Sequence, residues 1–282
     1  MTERLADISA RIDGIRQLGA VVNAMKGIAA ARAHAARTQV LAVDSYAKTI
    51  AAAMSRVLSN DIATSETQPD SGGGRPGLLV FCAEQGFAGA FSERVLDSLD
   101  AQPGPSSLFL IGTRGLSIAT ARGLKPHWTA PLPSHSLGIP KLADQITTAI
   151  YLAVAEGHID YLDVIFTGWD TGRPTLVRQR LFPIDLADLP AAKAKRPLTQ
   201  LPDGTLVASL GEDYFNAQVC KAALHAFAAE NEARMEAMSS AGSQITRELE
   251  TFQATLRRVR QEAITAEIIE LGTGATAKRG MR

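Results

Sequence analysis

Glycines that follow an apolar run are the residues of this sequence best suited to bind a phosphate group. Residues 77–83 read GLLVFCA, and Gly86 and Gly89 come soon after them. Such glycines let backbone N–H groups approach a phosphate at the start of the next helix. However, neither G-x-G-x-x-G nor G-x-x-x-x-G-K-[ST] follows this run, and the glycine triplet at 72–74 precedes it. A tight turn is therefore the favoured interpretation, and a nucleotide site stays open as the alternative.

Cysteine, histidine and carboxylate residues show no spacing that is typical of a metal site or a catalytic group. Cys82 and Cys220 lie far apart, which excludes a disulfide scaffold and a zinc site. The five histidines share no ligand spacing, and residues 112–115 form a turn rather than the G-x-S-x-G of a hydrolase. Asp160 and Asp163 flank a strand-like run, and we expect both carboxylates to be solvated. The sequence thus predicts no catalytic residue, no metal and no bound cofactor.

Basic residues concentrate in two windows that contain no carboxylate. The first window, 14–43, carries Arg16, Lys26, Arg32 and Arg37, and the second, 251–261, carries Arg257, Arg258 and Arg260. Such clusters can bind nucleic acid, although no aromatic residue interleaves either of them. A solvated helix face and a basic rod inside an acidic protein collar are the other interpretations. The whole chain has 29 basic and 29 acidic residues, which argues against a surface that binds nucleic acid or anionic lipid throughout.

The first 60 residues are expected to form one long helix. They contain no proline, and a seam of mostly apolar or small residues recurs at alternating intervals of three and four. The seam consists of Leu5, Ile8, Ile12, Ile15, Gly19, Val22, Lys26, Ala29, Ala33, Ala36, Val40, Val43, Ala47, Ile50, Met54 and Val57. A period of 3.5 residues held this long is typical of a coiled coil, and the helix would be about 85–90 Å long.

A second heptad helix is expected from about residue 212 to residue 271. Its seam consists of Leu224, Ala228, Asn231, Met235, Met238, Gly242, Ile245, Leu249, Phe252, Leu256, Val259, Ala263 and Ala266. We expect Gly272 and Gly274 to end this helix, and the polar seam residues Lys26 and Asn231 to fix the register of the pair. Two heptad helices at opposite ends of one chain are expected to pair antiparallel, as a left-handed coiled coil.

The middle of the chain alternates strand-like and helical runs. Strands are expected at 77–83, 107–112, 161–169 and 175–184, and helices at 91–101, 114–122 and 141–157. This order is typical of an α/β layer with a mainly parallel sheet. A Gly/Pro/Ser-rich linker at 65–77 precedes the layer, and a loop at 186–205 follows it.

These patterns predict an α/β fold in which a long antiparallel coiled coil of N- and C-terminal helices carries an inserted Rossmann-like α/β head. The expected divisions are 1–60 for the first helix, 61–211 for the head and 212–282 for the last helix. No run reaches the roughly 18 apolar residues of a membrane span, and the N-terminus is too charged for an export signal. We therefore expect a soluble chain that is not exported.

The sequence resembles the gamma subunit of F-type ATP synthases along essentially its whole length. In the opening helix the resemblance rests on RIDGIRQ at 11–17, Ala24-Met25 and IAAAR at 28–32. In the head it rests on QGFAGAFS at 85–92 and IGTRG at 111–115. The closing helix carries the longest and most specific motifs, ENEARMEAM at 230–238 and RQEAITAEI at 260–268.

Several positions depart from the family pattern. The family's turn has Cys and Asn where this chain has Ala88 and Ser92, and a lysine before the Ala-Met pair is replaced by Asn23. Residues 239–243 lack the usual Asp and Asn, and the family's Asn-Lys pair is Arg-Arg at 257–258. The departures indicate a divergent branch, such as the alternative F-type ATPases that are proposed to pump sodium in some bacteria.

The resemblance implies a central-stalk (rotor) subunit that couples ion flow through a membrane sector to ATP synthesis or hydrolysis in an alpha/beta hexamer. It implies that the coiled coil stands in the cavity of the hexamer, and that the head lies on the c-ring beside the epsilon subunit. The chain would then be peripheral, on the cytoplasmic face of a bacterial inner membrane, and contact the membrane only through the complex. The resemblance also implies a non-catalytic subunit that binds no nucleic acid.

The resemblance places contacts that affect coupling at Met25, Arg32, Arg260, Gln261, Thr265 and Glu267. Two other classes of protein stay open on the residues alone. One is an α/β nucleotide-binding enzyme with helical arms, and the other is a coiled-coil scaffold or nucleic-acid binder.

Overall fold

The structure is a computed structural model that describes residues 2–58, 74–99, 107–170, 173–185, 189–191 and 198–279. Within these residues the elements are α1 Thr2–Leu58, β1 Pro76–Phe81, α2 Phe91–Asp97, β2 Ser107–Ile111, α3 Thr113–Ala121, β3 Trp128–Ala130, α4 Ile139–Ala155, β4 Tyr161–Asp170, β5 Arg173–Phe182 and α5 Asp203–Arg279. Most of the expected linker and the division at 60/61 lie outside the described residues, and the three divisions of the chain stay a prediction.

Two compact units make up the chain. The helical unit consists of Met1–Ile28 with Met235–Arg282, and the sheet unit is Ala29–Arg234. The helical unit therefore contains the first part of α1 and the last part of α5. The sheet unit contains the remainder of both helices together with the sheet.

The two heptad seams are confirmed. Every seam residue that the sequence predicts in α1 and in α5 is buried or half-buried, while most positions between them are exposed. In the helical unit, a Cβ atom at Gly19 would lie 3.3 Å from Ile245 Cγ2, and Lys26 Nζ donates to Ser239 Oγ at 3.1 Å. The higher-numbered residue of α1, Lys26, contacts the lower-numbered residue of α5, Ser239. The two segments therefore run antiparallel, as predicted.

In the sheet unit, Arg37 of α1 pairs with Glu232 of α5 and Asp44 of α1 pairs with Lys221 of α5, so the two helices run antiparallel there as well. Lys221 Nζ of α5 lies 2.8 Å from Asp44 Oδ1 of α1. The expectation that Asn231 fixes the register stays a prediction. Its amide donates to Phe227 O at 2.8 Å and accepts from Arg234 Nη1 at 3.0 Å, so these hydrogen bonds stay within α5.

Both ends of α5 lie beyond the positions that the sequence predicts. The helix begins at Asp203, where Pro202 O accepts a hydrogen bond from Leu206 N at 3.0 Å. It continues through Gly272 and Gly274 to Arg279, so the expected stop at these glycines was wrong. A glycine inside a helix costs about 1 kcal/mol, yet it keeps the N–H that the helix needs, which proline does not.

The sheet has the order β3-β2-β1-β4-β5, in which β1 to β4 run parallel and β5 is antiparallel to β4. This topology confirms the Rossmann-like head. Successive β1 residues face opposite layers: Leu79 and Phe81 join one core cluster with α4, whereas Leu78 and Val80 join another with α2 and α3. The sequence did not predict β3, because three residues are too few to show a period.

Asp163 is buried, although the sequence predicts a solvated carboxylate. It accepts hydrogen bonds from Arg180 Nε at 2.6 Å and from Arg178 Nε at 3.0 Å. Both arginines come from β5, which runs beside β4 and brings their side chains across to it. Two arginines thus supply the partners that a buried carboxylate requires.

Asp160 gives the stability of the fold a dependence on pH. Its carboxylate accepts hydrogen bonds from Arg75 Nε at 3.0 Å, Nη2 at 2.9 Å and the backbone N at 2.7 Å. These hydrogen bonds lower the pKa of the Asp160 carboxyl from 3.8 to about 2. A lowered pKa stabilises the folded state above the unfolded pKa, and this contribution is lost as the pH falls toward about 2.

We therefore expect Asp160→Asn to unfold at a lower urea concentration than the wild type at pH 6. The two midpoints should converge as the pH falls from about 4 to about 2, because protonation then removes the same interaction from the wild type. Urea titrations at a series of pH values test this. A difference that stays constant over that range would contradict the assignment.

Candidate functional site

Four of the six residues expected to affect coupling share one segment of α5. Arg260, Gln261, Thr265 and Glu267 are all exposed. Thr265 Oγ1 donates to Gln261 O at 2.9 Å, so this hydroxyl is bonded to its own helix. Arg260 follows Val259, a buried seam residue, and its side chain is therefore directed away from the helix pair. The polar side chains of residues 260–267 named here are therefore exposed on the surface of α5.

Met25 and Arg32 do not join this group. Met25 is half-buried in the helical unit, next to Lys26, which contacts Ser239. Ser239 and Arg260 are separated by about 30 Å along α5 at the helical rise per residue. Arg32 is half-buried in the sheet unit. The structure thus brings together four of the predicted residues, while Met25 lies at another level of the helical unit and Arg32 belongs to the sheet unit.

Large apolar side chains are exposed among the same four residues. Ile264, Ile268, Ile269 and Leu271 are between 52% and 69% exposed. Isolated apolar residues are common on protein surfaces, but a cluster of them marks an interaction site. This part of α5 therefore has the mixed polar and apolar character of a surface that contacts a partner protein.

A buried ion pair of α5 holds the turn between β1 and α2. Glu230 and Arg234 lie one helical turn apart, and their side chains are only 4% and 7% exposed. The Glu230 carboxylate accepts the backbone N–H of Glu84 at 3.2 Å and of Gln85 at 3.3 Å. Arg234 donates to the carbonyl oxygens of Gly86 at 3.3 Å and Gln85 at 3.4 Å. We call this pair the turn clamp, because it binds both the donors and the acceptors of the turn.

Glu84 occupies the position where a phosphate would bind in a nucleotide-binding α/β domain. Its carboxylate accepts hydrogen bonds from Thr113 N at 3.0 Å, Thr113 Oγ1 at 2.8 Å and Leu132 N at 2.8 Å. Thr113 begins α3, so the carboxylate interacts with the positive end of that helix. Ligands of such domains bind outside the carboxyl ends of the strands, which is where Glu84 lies. A phosphate here would face a like charge, and the geometry favours a structural turn.

Two glycines allow β1 and α3 to approach closely beside Glu84. Gly112 has a φ of 106°, and a Cβ atom there would lie 2.5 Å from Cys82 O. A Cβ atom at Gly115 would lie 2.0 Å from Cys82 Cβ. These contacts leave no room for a side chain, and they bring the N-terminus of α3 within reach of Glu84.

The chemistry of the remaining groups is that of a packed interior. Burial raises the pKa of the Cys82 thiol to about 12 and that of Cys220 to about 11, so neither is a ready nucleophile at neutral pH. Within the described residues, no three His, Cys, Asp or Glu side chains are grouped so that they could hold a metal ion. None of the described helices has a stretch long and apolar enough to cross a bilayer.

Sequence reasoning missed the turn clamp and the role of Glu84. Apart from the seam residue Asn231, the sequence analysis used residues 230–234 only for a resemblance, although a Glu and an Arg four residues apart on a helix are themselves a signal of an ion pair. Glu84 gave no such signal, because its partners Thr113 and Leu132 are distant in sequence and come together only through the parallel sheet.

A family model described as ATP synthase matches residues 4–277 of the chain. The chain is 29% identical to the ATP synthase gamma chain of Micrococcus luteus, over 91% of this chain and 92% of the relative. It is 28% identical to that of Parafrankia sp., over 98% of each chain. The chain is similar in length to both relatives.

Solved structures with the same fold include the rotor of the Euglena gracilis mitochondrial ATP synthase. The TM-score is 0.64 at 13% identity, over 94% of this chain and all of that one. The central stalk and c-ring structure of Tetrahymena thermophila mitochondrial ATP synthase gives a TM-score of 0.56 at 19% identity, over 78% of this chain and 99% of that one. At these identities the likeness concerns the fold.

Proposed function

This chain belongs to the ATP synthase family, and on that premise we propose that it is a gamma chain, the rotating central stalk of an F-type ATP synthase. The observation that carries the proposal is the match of the family model over 4–277, which includes both long helices and the sheet between them. Relatives named gamma chain cover the same span. A match to the head alone would be open to many α/β proteins.

The proposed partners are an alpha/beta hexamer, an epsilon subunit and a c-ring. In this assignment the chain couples ion flow through the membrane sector to ATP synthesis or hydrolysis in the hexamer, and itself catalyses no reaction. It lies peripherally on the cytoplasmic face of a bacterial inner membrane. The position of Glu84 at the strand ends supports the absence of a nucleotide site from the head.

Coupling in such a complex arises from asymmetry. A single helix pair within a threefold collar contacts the three beta subunits differently, so each contact favours one conformer of one subunit at a time. The exposed segment that carries Arg260 and Ile264 offers both a charge and apolar area for such contacts. The basic window at 14–43 fits acidic surfaces of the collar.

Rotation of this chain within its own assembled complex tests the proposal. The complex is immobilised through its hexamer, and a gold particle is attached to a cysteine introduced on the head. With ATP the particle should turn in one direction, in steps of about 120° because the collar is threefold. The purified chain alone should hydrolyse no ATP. A complex that hydrolyses and pumps normally without this chain would overturn the proposal.

Arg260→Ala should lower ATP-driven ion pumping by the reconstituted complex roughly fivefold. The loss corresponds to about 1 kcal/mol, a modest value for one charge-assisted contact to a carboxylate of the collar. Folding should change by no more than about 0.5 kcal/mol, because Arg260 is exposed. Pumping into vesicles, followed with an ion-sensitive dye, measures the effect.

Arg247→Ala is the matched control, since it removes another exposed arginine of α5 in the helical unit. It should pump like the wild type. If Arg260→Ala assembles and pumps at the level of this control, Arg260 makes no contact that matters for coupling.

A further inference from the structure

Arg37 joins three elements of the sheet unit at one point. It lies on α1 and forms an ion pair with Glu232 of α5. Its guanidinium carbon also lies 4.5 Å from the centre of the Trp169 ring, near the end of β4. The two long helices and the β4–β5 hairpin therefore all contact this one side chain.

The Glu232 carboxylate depends on this arginine. Its side chain is 10% exposed, and no hydrogen-bond donor besides Arg37 reaches its oxygens within the described residues. A buried carboxylate is costly unless a cation neutralises it. Arg37, which is 48% exposed, supplies that charge from the other helix. The pair thus fixes α1 against α5 at this level.

The Trp169 end of the hairpin faces the two helices across a small cavity. The ring is 40% exposed, and beside it lies a cavity of about 130 Å³ that is lined by Arg37, Val40, His225 and Glu232 among others. Apolar contacts are non-directional and allow sliding, whereas a guanidinium stacked on an indole has a defined geometry. The Arg37 contact is therefore one directional tie between this end of the hairpin and the helices, beside the stacking of Phe166 of β4 on His225 of α5.

We propose that Arg37 is a positioning residue that transmits torque between the β4–β5 hairpin and the two helices of a rotor. The inference rests on the proposed function of the chain as a central stalk. Twist passes from the sheet to the helices only through contacts that resist shear. A planar guanidinium can pair with Glu232 on one side while it stacks on Trp169, a combination that lysine cannot reproduce.

The decisive variant is Arg37→Met with Glu232→Leu. It removes the tie to Trp169 but leaves no unpaired buried charge, so the chain should fold even if Arg37→Ala does not. Lys48→Ala, which removes an exposed cation from α1 in the same unit, is the matched control. Each variant is assembled into the full complex and reconstituted into vesicles.

Two measurements are needed. Hydrogen exchange of the full chain reports whether amides near Trp169 lose protection, and we expect at least a tenfold faster exchange in the double variant. ATP-driven pumping into vesicles reports the largest opposing ion gradient that the complex can sustain, and we expect at least a twofold loss. ATP hydrolysis without a gradient should match the wild type, because an unloaded rotor transmits little torque. The single variant Arg37→Lys, which keeps Glu232, should retain the ion pair but sustain a smaller gradient than the wild type.

The outcomes separate this inference from the function on which it rests. A double variant that sustains the wild-type gradient would overturn the inference, and so would unchanged hydrogen exchange near Trp169. A wild-type gradient in the single variant Arg37→Lys would also overturn the inference, because it would show that Arg37 acts only as the counter-charge of Glu232. If even the wild-type chain fails to enter the complex or to rotate in it, the proposed function itself is wrong.

Discussion

Arg234→Ala should lower the free energy of unfolding of this chain by about 3–5 kcal/mol. The substitution leaves Glu230 as a buried carboxylate without its cation, and that penalty is typical when one member of a buried pair is removed. It also removes the donors to the carbonyl oxygens of Gln85 and Gly86. Because the free energy of unfolding of whole domains is only about 5–15 kcal/mol, the substitution would remove a large part of the stability of this chain. Urea unfolding of the full chain, followed by far-UV circular dichroism, measures the change.

Two further variants distinguish the turn clamp from a general effect of losing an arginine. Arg257→Ala, at an exposed position of the same helix, should change the free energy of unfolding by no more than about 0.5 kcal/mol. Arg234→Met with Glu230→Leu should recover a large part of the loss, since no buried charge is then left unpaired. A value for Arg234→Ala as small as that for Arg257→Ala would mean that the clamp contributes nothing.

The parts of the fold that repeat could be predicted from the sequence. A seam such as Ile12, Val22 and Ala29 recurs over many turns, and one misplaced residue does not hide the period. The α/β alternation of the head is likewise local, because each strand or helix carries its own pattern. The antiparallel pairing followed from the two seams, and contacts such as Lys26 with Ser239 confirm it.

The parts that depend on distant partners could not be predicted. Asp163 is buried because β5 delivers Arg178 and Arg180 to it, and nothing in the residues around Asp163 announces them. Strand β3 has only three residues and is defined by its pairing with β2. The end of α5 was misjudged for a different reason, since glycine at 272 and 274 weakens a helix without terminating it.

The candidate site shows the same division. The polar residues of α5 from Arg260 to Glu267 could be assigned to one exposed segment, because helical periodicity alone sets their exposure. Their effect on coupling stays a prediction, since the partner that they would contact is another chain. Glu84, Glu230 and Arg234 meet only through the tertiary fold, and their interaction became visible only there.

Gly112→Ala should destabilise the sheet unit by about 3 kcal/mol or more. At a φ of 106° the backbone adopts a conformation that costs a residue with a Cβ atom about 1–3 kcal/mol. The new methyl group would also lie 2.5 Å from Cys82 O and 2.7 Å from Ala83 O, which are backbone atoms of the residues that follow β1. Relief requires α3 to move away from β1, and such overpacking adds about 1–3 kcal/mol. That movement would also carry Thr113 away from the Glu84 carboxylate.

Gly86→Ala is the matched control for this substitution, because it lies in the turn after the same strand and a Cβ atom there meets nothing within 4 Å. Its free energy of unfolding should stay within about 0.5 kcal/mol of the wild type. The backbone amide of Thr113 provides a second observable, since its hydrogen bond to Glu84 should break in Gly112→Ala and persist in Gly86→Ala. Hydrogen exchange at Thr113 should then be faster in the first variant alone. Equal stability of the two variants would show that β1 and α3 can separate at little cost, and that Glu84 does not depend on their close approach.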